Sequence, residues 1–420
     1  VEAGKLGEST MEVLILPLLL AMILLVCYGQ KGGELSYESN RLLYWQQGGV
    51  VLLALLAPNK WLSGLILLPL VPLLQNRLPR VQREPYLYAA LVWGALYVLL
   101  APFMTQATIP MLLWAFVAIG AIQGLWTAHT LLIMRTWPYQ VTYHVCGYPL
   151  LTVSEAFHTD TPLQAGCGNS NHAYAISGVA VAANIGLQIA GYWYALFALP
   201  LCGLYLVWHF IKGDAVGEPT AAHAYAVALF LAVLPLMFGL YGVGVACILI
   251  FSGSWIVYSH PKWLSGRWNH WLMTLEDVWR QGWLTQLFGN GSGSWMRTYC
   301  TQQFQEAIRE QKAEQELLTN PHNEYIAMLY EHGYVGLVIL CGYLATSFYT
   351  AANAGPLGIG VFLIGAVLCT CAAVLMPWNV YMEVITPAPV PGQLCITGVG
   401  SPALNILSFA TVLMVEGLTK

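Results

Sequence analysis

The sequence predicts an all-α polytopic membrane protein of about 11-12 transmembrane helices, with one large, mainly helical loop outside the bilayer. Three observations carry this. Of 420 residues, 58% are hydrophobic and only 9% charged, where a soluble domain carries about 25% charged residues. Apolar runs of near-spanning length recur along the whole chain. The polar residues are gathered rather than spread, and the stretch 259–322 alone holds six of the sixteen Lys and Arg. The formal charge of −4 carries no nucleic-acid signal.

The spans follow in order. Residues 12–28 resemble a signal peptide in apolarity, but Glu8 and Glu12 make an acidic flank and no small-residue cleavage site stands near Gly29, so a retained span is expected. The runs 42–57 and 62–74, parted by Pro58-Asn59-Lys60, form either a hairpin or one irregular span, which sets the count at eleven or twelve. Further spans are expected at 86–102, 109–127, 173–189, 192–211, 224–238, 239–258, 334–350, 357–376 and 403–418. The chain thus divides into a helix bundle 1–258 of about nine spans with a polar loop at 128–172, a large loop 259–322, and C-terminal spans within 323–420. The segment 377–402 is rich in Pro and Gly. Sidedness stays open on residues alone. Arg77, Arg80 and Arg83 favour the cytoplasm, yet a twelve-span count from a cytoplasmic N-terminus puts them outside. Of ten cysteines, six lie in apolar runs, and no CxxC pair suggests a zinc or thioredoxin-like site. Cys146 and Cys167 share one loop, where a disulfide would need an oxidising compartment.

The large loop opens with "LSGRWNHWLMTLEDVW". Trp268, Trp271, Leu272, Leu275, Trp279 and Trp283 recur at three- and four-residue spacing, which predicts an amphipathic helix over 268–283. Such a helix lies on the bilayer interface, and the same surface could stack on sugars or cover lipid. Arg267 at its start and Arg280 further on are either headgroup contacts or a planar, permanently charged clamp on phosphate. "GNGSGS", 289–294, lacks the Lys-Ser/Thr of a phosphate-binding loop and reads as a tight turn. Residues 302–316 read as a solvated helix.

The loop ends in "TNPHNEYIAMLYEHGYVGL", 319–337, an unusual concentration of polar groups ahead of an apolar run. Asn320 suits an N-cap and Pro321 a first helical residue, so His322 is expected in the first turn. The positive dipole end there would hold the imidazole neutral and could hold an anionic oxygen. A neutral His beside an anion site suits activation of a hydroxyl in glycosyl or phosphoryl transfer. Helical spacing puts Tyr325, Leu329 and His332 with His322, and Glu324, Met328 and Glu331 nearly opposite. Metal ligation is not indicated, since no HxxxH or HExxH occurs.

The constellation "LSGRWNHW … LFGNGSGSW … NPHNEYIAMLYEHGYVGL", covering about 264–340, resembles the bacterial O-antigen ligase superfamily, which also holds O-antigen polymerases and pilin-type O-oligosaccharyltransferases. A softer likeness lies in "GCGNSNHAYAIS", 166–177. The resemblance implies a GT-C-like glycosyltransferase of the bacterial inner membrane with its large loop in the periplasm. It implies transfer of a glycan from a polyprenyl (undecaprenyl) pyrophosphate carrier to an acceptor hydroxyl, with inversion and without a metal or other cofactor. The family's essential His falls on His322 and its loop Arg on Arg267; Arg280, Arg297, Asn323, Tyr325, Asn171 and His172 are the expected substrate-binding residues. The partners implied are the lipid-linked glycan donor, the bilayer, and lipid A-core or another glycan or protein acceptor; no nucleic acid is implied. Members carry a second Arg in a Ser-Arg-Gly-like motif at a middle span. Residues 186–195 read "GLQIAGYWYA" instead, leaving Arg280, Arg297 or Arg135 to serve, a different handling of pyrophosphate, or an inactive copy. Ligation onto lipid A-core is the first expectation and polymerisation or pilin glycosylation the second. A transporter or flippase would need charges within the spans or broken paired helices, and the spans hold almost no ionisable groups.

Overall fold

The structure is a computed structural model that describes residues 94–133, 139–145, 148–155, 170–212, 267–291, 317–318, 321–373, 396–397 and 402–420, with isolated positions at 17, 19–24, 27, 245, 248–249, 294–295 and 298–299. Among these, the chain is overwhelmingly helical, and four helices are long and apolar enough to cross a membrane. In chain order the apolar helices are α1 (Gly94–Phe103), α2 (Ile109–Ile133), α3 (Ser170–Ile189) and α4 (Leu199–Lys212). The polar loop contributes α5 (Arg267–Arg280) and α6 (Trp283–Phe288). The C-terminal part supplies α7 (Glu324–Asn353), α8 (Gly355–Ala372) and α9 (Pro402–Leu418). The expected runs 42–57, 62–74 and 224–238, the helix at 302–316, and Cys146 and Cys167 lie outside the described residues.

Two local departures from the sequence reading have clear causes. The polar loop 128–172 contains an antiparallel hairpin, β1 (Tyr139–Val145) with β2 (Tyr148–Glu155), Tyr139 facing Glu155. Its Val, Thr and Tyr content suits strands, but the run is too short and too polar to register in a search for spans. The run 192–211 is not one helix. A left-handed Gly191 (φ 94°) and a 3₁₀ turn at Trp193–Ala198 precede α4, so the α3–α4 connection is an elbow. It is fixed where the Asn184 amide donates to the Ala195 carbonyl at 2.8 Å.

The bundle is built around α3, which packs on α2, α4 and α8. Lipid offers apolar side chains no reason to leave it, so close backbone approach through small residues drives such packing. A Cβ on Gly186 of α3 would overlap the Cα of Gly360 of α8. Ala173, Ala180, Ala183 and Leu187 of α3 are buried in one core with Leu113 and Phe116 of α2 and Ile364 and Val367 of α8. Several neutral polar groups inside this bundle are tied to backbone. Gln123 Nε2 donates to the Ala173 carbonyl at 2.7 Å, and the Thr127 and Thr130 hydroxyls donate to carbonyls one turn back.

These contacts fix the direction of each helix. The Gly186–Gly360 crossing puts the end of α3 beside the start of α8, so the start of α3 lies with the end of α8. The Tyr325 hydroxyl donates to the Cys369 carbonyl at 3.0 Å, which puts the start of α7 at that same end. Gln123 brings the second half of α2 there too, towards the hairpin. The end of α9 returns to the opposite end, where the Lys420 ammonium donates to the Ala101 carbonyl at 2.6 Å. A two-residue parallel pairing, β3 (Leu317–Leu318) with β4 (Ile396–Thr397), joins the close of the large loop to the segment after α8. One end of the bundle, the loop end, therefore carries the large loop, the start of α3 and the close of α8. The α3–α4 elbow sits at the other.

Candidate functional site

The loop end is organised by α5. Its inner face carries Thr274 and Val278, buried, with Trp271 half-buried. A ladder of donors crosses it. The Trp295 indole N–H donates to Thr274 Oγ1 at 2.9 Å, and Thr274 Oγ1 donates to the His270 carbonyl at 2.7 Å. The Tyr299 hydroxyl donates to the Asp277 carboxylate, and Trp295, Tyr299 and Tyr330 pack with Val278 in a small aromatic core. Burial, then the Asp277 carboxylate, pushes the Tyr299 phenol well above its usual range. Burial pushes the His270 imidazole below its usual value, so it is held neutral near pH 7.

The α7 helix is kinked. Gly333 adopts φ 68°, ψ −168° inside it, a conformation that a side chain would strain. The kink frees the carbonyls of Tyr330 and Glu331 from their helical partners. The glycine-rich turn after α6 supplies replacements. The Asn290 N–H and its side-chain amide both donate to the Tyr330 carbonyl at 3.1 Å, and the Gly291 N–H donates to the Glu331 carbonyl at 2.8 Å. The buried Glu331 carboxylate accepts from the Trp295 N–H at 3.4 Å. Gly289 (φ 77°) and Gly333 approach so closely that a Cβ on either would overlap backbone of the other segment. "GNG" is thus the cap of a broken helix and not a nucleotide loop, as the missing Lys-Ser/Thr implied.

The start of α7 corrects the sequence reading. Its N-cap is Asn323, whose side chain accepts from the Ile326 N–H at 3.1 Å, and its first residue is Glu324. Pro321 is not helical, and Asn320 lies outside the described residues. His322 is one residue ahead of the cap, with φ 52°, and is the one non-glycine residue with positive φ among those described. The cause is tertiary. The Trp271 indole N–H donates to the Pro321 carbonyl at 2.7 Å, binding that carbonyl to α5 instead of to a helical turn of its own. The expected first-turn setting of His322 is therefore replaced by a left-handed corner next to the helix start, and the shared stripe with Leu329 and His332 no longer includes it.

The other expected site residues divide by element. Arg267 opens α5, one turn ahead of Trp271, and its side chain and the whole of Arg297 lie outside the described residues. Arg280 stands on the outer face, 77% exposed, with Glu276 at 3.4 Å. Asn323 is occupied as the cap, and Tyr325 ties α7 to α8. His172 is buried in the first turn of α3, where Asn171 contributes described backbone only. Residues 186–195, where the resemblance expects a second Arg, fall at the far end of the bundle, so an Arg there would not face the loop. Sequence reasoning assigned no role to His270 or Trp295 and gave Trp271 and Glu331 only as members of helical stripes, although each stands inside the quoted segments. Among the described residues no group of His, Cys, Asp and Glu is arranged to hold a metal ion. Comparison with family models, with curated proteins and with solved structures finds no match.

Proposed function

We propose that the chain is a glycosyltransferase of the bacterial inner membrane that moves a glycan from a polyprenyl pyrophosphate carrier to an acceptor hydroxyl, first of all as an O-antigen ligase acting on lipid A-core. The observation that carries this reading is the convergence of three segments far apart in sequence. Trp271 meets Pro321, and Asn290, Gly291 and Trp295 meet Tyr330 and Glu331. Those are the segments on which the resemblance rests, and the convergence ties α5, the helix that Arg267 opens, to the residue before His322. A strained non-glycine residue persists where its surroundings over-determine it, and such residues cluster at functional sites.

In this reading His322 takes the proton of the acceptor hydroxyl as its oxygen attacks the anomeric carbon. The bond from that carbon to the pyrophosphate oxygen breaks, inverting the centre. Arg267 neutralises the departing pyrophosphate through its guanidinium fork. The large loop is periplasmic in this scheme, where lipid-linked glycans are consumed. The test is expression in a ligase-null strain. Glycan should appear on lipid A-core with the wild-type chain and vanish with Arg267→Ala at matched protein level. Normal transfer by Arg267→Ala would remove the clamp from the scheme.

A further inference from the structure

We infer that the α5–α6 elbow is a bilayer anchor, seated at the boundary between lipid headgroups and acyl chains, which holds the loop end at a fixed depth. The elbow exposes Trp279 (74%), Trp283 (68%), Leu284 and Phe288, while Val278 of α5 is buried in the aromatic core. Four large apolar groups exposed in ten residues need a covering partner. Three observations select lipid.

The first is position. The close of α6 lies against the kink of α7, since a Cβ on Gly333 would overlap the Leu287 carbonyl. The apolar part of α7 begins at that kink and runs to Asn353, about 20 residues or roughly 30 Å, one hydrocarbon thickness. The α6 helix therefore sits at the depth where the span begins. Exposed Tyr334, Val335, Val338 and Ile339 continue the apolar surface into the membrane. The second is symmetry of depth. At the far end, the α3–α4 elbow exposes Trp193, Tyr194 and Phe197, about one bilayer thickness away along α3. Aromatic side chains at both ends of a bundle mark the two interfaces. The third is polar chemistry. The elbow's amides are spent internally. Gln286 Nε2 donates to the Trp279 and Gln281 carbonyls, and the Gln281 side-chain oxygen accepts from Asn290. A glycan would need such groups free, whereas the acyl boundary needs none. Among the described residues the charged pair at the rim is Arg280 with Glu276, neutral overall, so attachment rests on apolar area and not on anionic headgroups.

The experiment uses the full chain reconstituted in phosphatidylcholine bilayers, after accessible native cysteines, Cys341 among them, are changed to Ser. Spin labels at Trp283→Cys and Phe288→Cys should favour oxygen over a water-soluble nickel relaxant several-fold more than a label at Glu276→Cys. Adding anionic lipid should leave those ratios unchanged. Nickel access at positions 283 and 288 equal to that at 276 would overturn the anchor, as would a ratio that depends on anionic lipid. Should a labelled variant fail to insert, Trp283→Phe gives a second reading. Quenching of tryptophan emission by bromolipids should fall relative to wild type, and unchanged quenching would overturn the proposal.

Discussion

In the proposed scheme His322 decides the chemistry. Its backbone stands at φ 52°, a region where Asn and His are better tolerated than Ala. His322→Asn should therefore keep the corner while removing the base, and transfer should fall by roughly 10²–10⁴. His322→Ala should lose the same activity and also about 1 kcal/mol of stability. Equal activity of wild type and His322→Asn in membrane transfer assays would remove His322 from the mechanism. Asn323→Ala should cost about 1 kcal/mol through the lost cap, read as a lower melting temperature in detergent. His270 gives a pH dependence. Burial lowers its folded pKa, so below the ordinary value of about 6.5 the unfolded state binds more protons, and stability falls as pH falls. Protease nicking of the loop should increase from pH 7 to pH 5, and His270→Gln should flatten that trend. The capping chemistry here was legible in "NPHN", three residues early. Asn320 and Asn323 are equal candidates by type, and the choice was made by a tertiary bond from Trp271 that no local pattern contains.

At the scale of elements, the loop end holds together through a kinked helix and the turn that caps it. Gly333→Ala should destabilise the protein by more than about 1 kcal/mol, because it adds strain at positive φ and a clash with the Leu287 carbonyl. Trp271→Phe keeps an aromatic side chain and removes the N–H donor to Pro321, an effect of about 1 kcal/mol on stability from the lost hydrogen bond. In the proposed scheme its larger effect is on transfer, since it frees the corner at His322. A Trp271→Phe variant that lost stability yet transferred normally would show the corner to be set elsewhere. The periodicity of Trp and Leu over 268–283 predicted the helix and its amphipathic character. It did not show the break at Gln281-Gly282, because Trp279 and Trp283 keep helical spacing across it. Nor did it separate Trp271, engaged inward with Pro321, from Trp279, which faces out. Spacing fixes a face, and the partner of that face comes from distant sequence.

Over the whole molecule, helix directions gather the described part of the large loop at one end of the bundle and the α3–α4 elbow at the other. An impermeant maleimide should therefore label a cysteine at Ser292 and one at Thr152 from the same side of the membrane, and one at Phe197 from the opposite side. Reactivity of 292 and 197 from one side would contradict the helix directions drawn from Gly186–Gly360 and Tyr325–Cys369. Composition made the helical membrane character plain, since a chain with 9% charged residues has little else to become. It could not orient the chain, because the Arg77–Arg83 cluster favours the cytoplasm while a twelve-span count from a cytoplasmic N-terminus puts it outside. The same directions put 186–195, which lacks the second Arg motif, at the end of the bundle opposite the described part of the loop. Glycan transfer is measured with purified chain, a polyprenyl pyrophosphate-linked glycan and lipid A-core. Wild type should release free polyprenyl pyrophosphate in step with glycan appearing on the core. Arg280→Ala should stay near wild type, while Arg267→Lys is badly impaired and His322→Asn is inactive. Donor left intact by the wild-type chain, with this acceptor and with a growing glycan or pilin in its place, would contradict the proposed transfer.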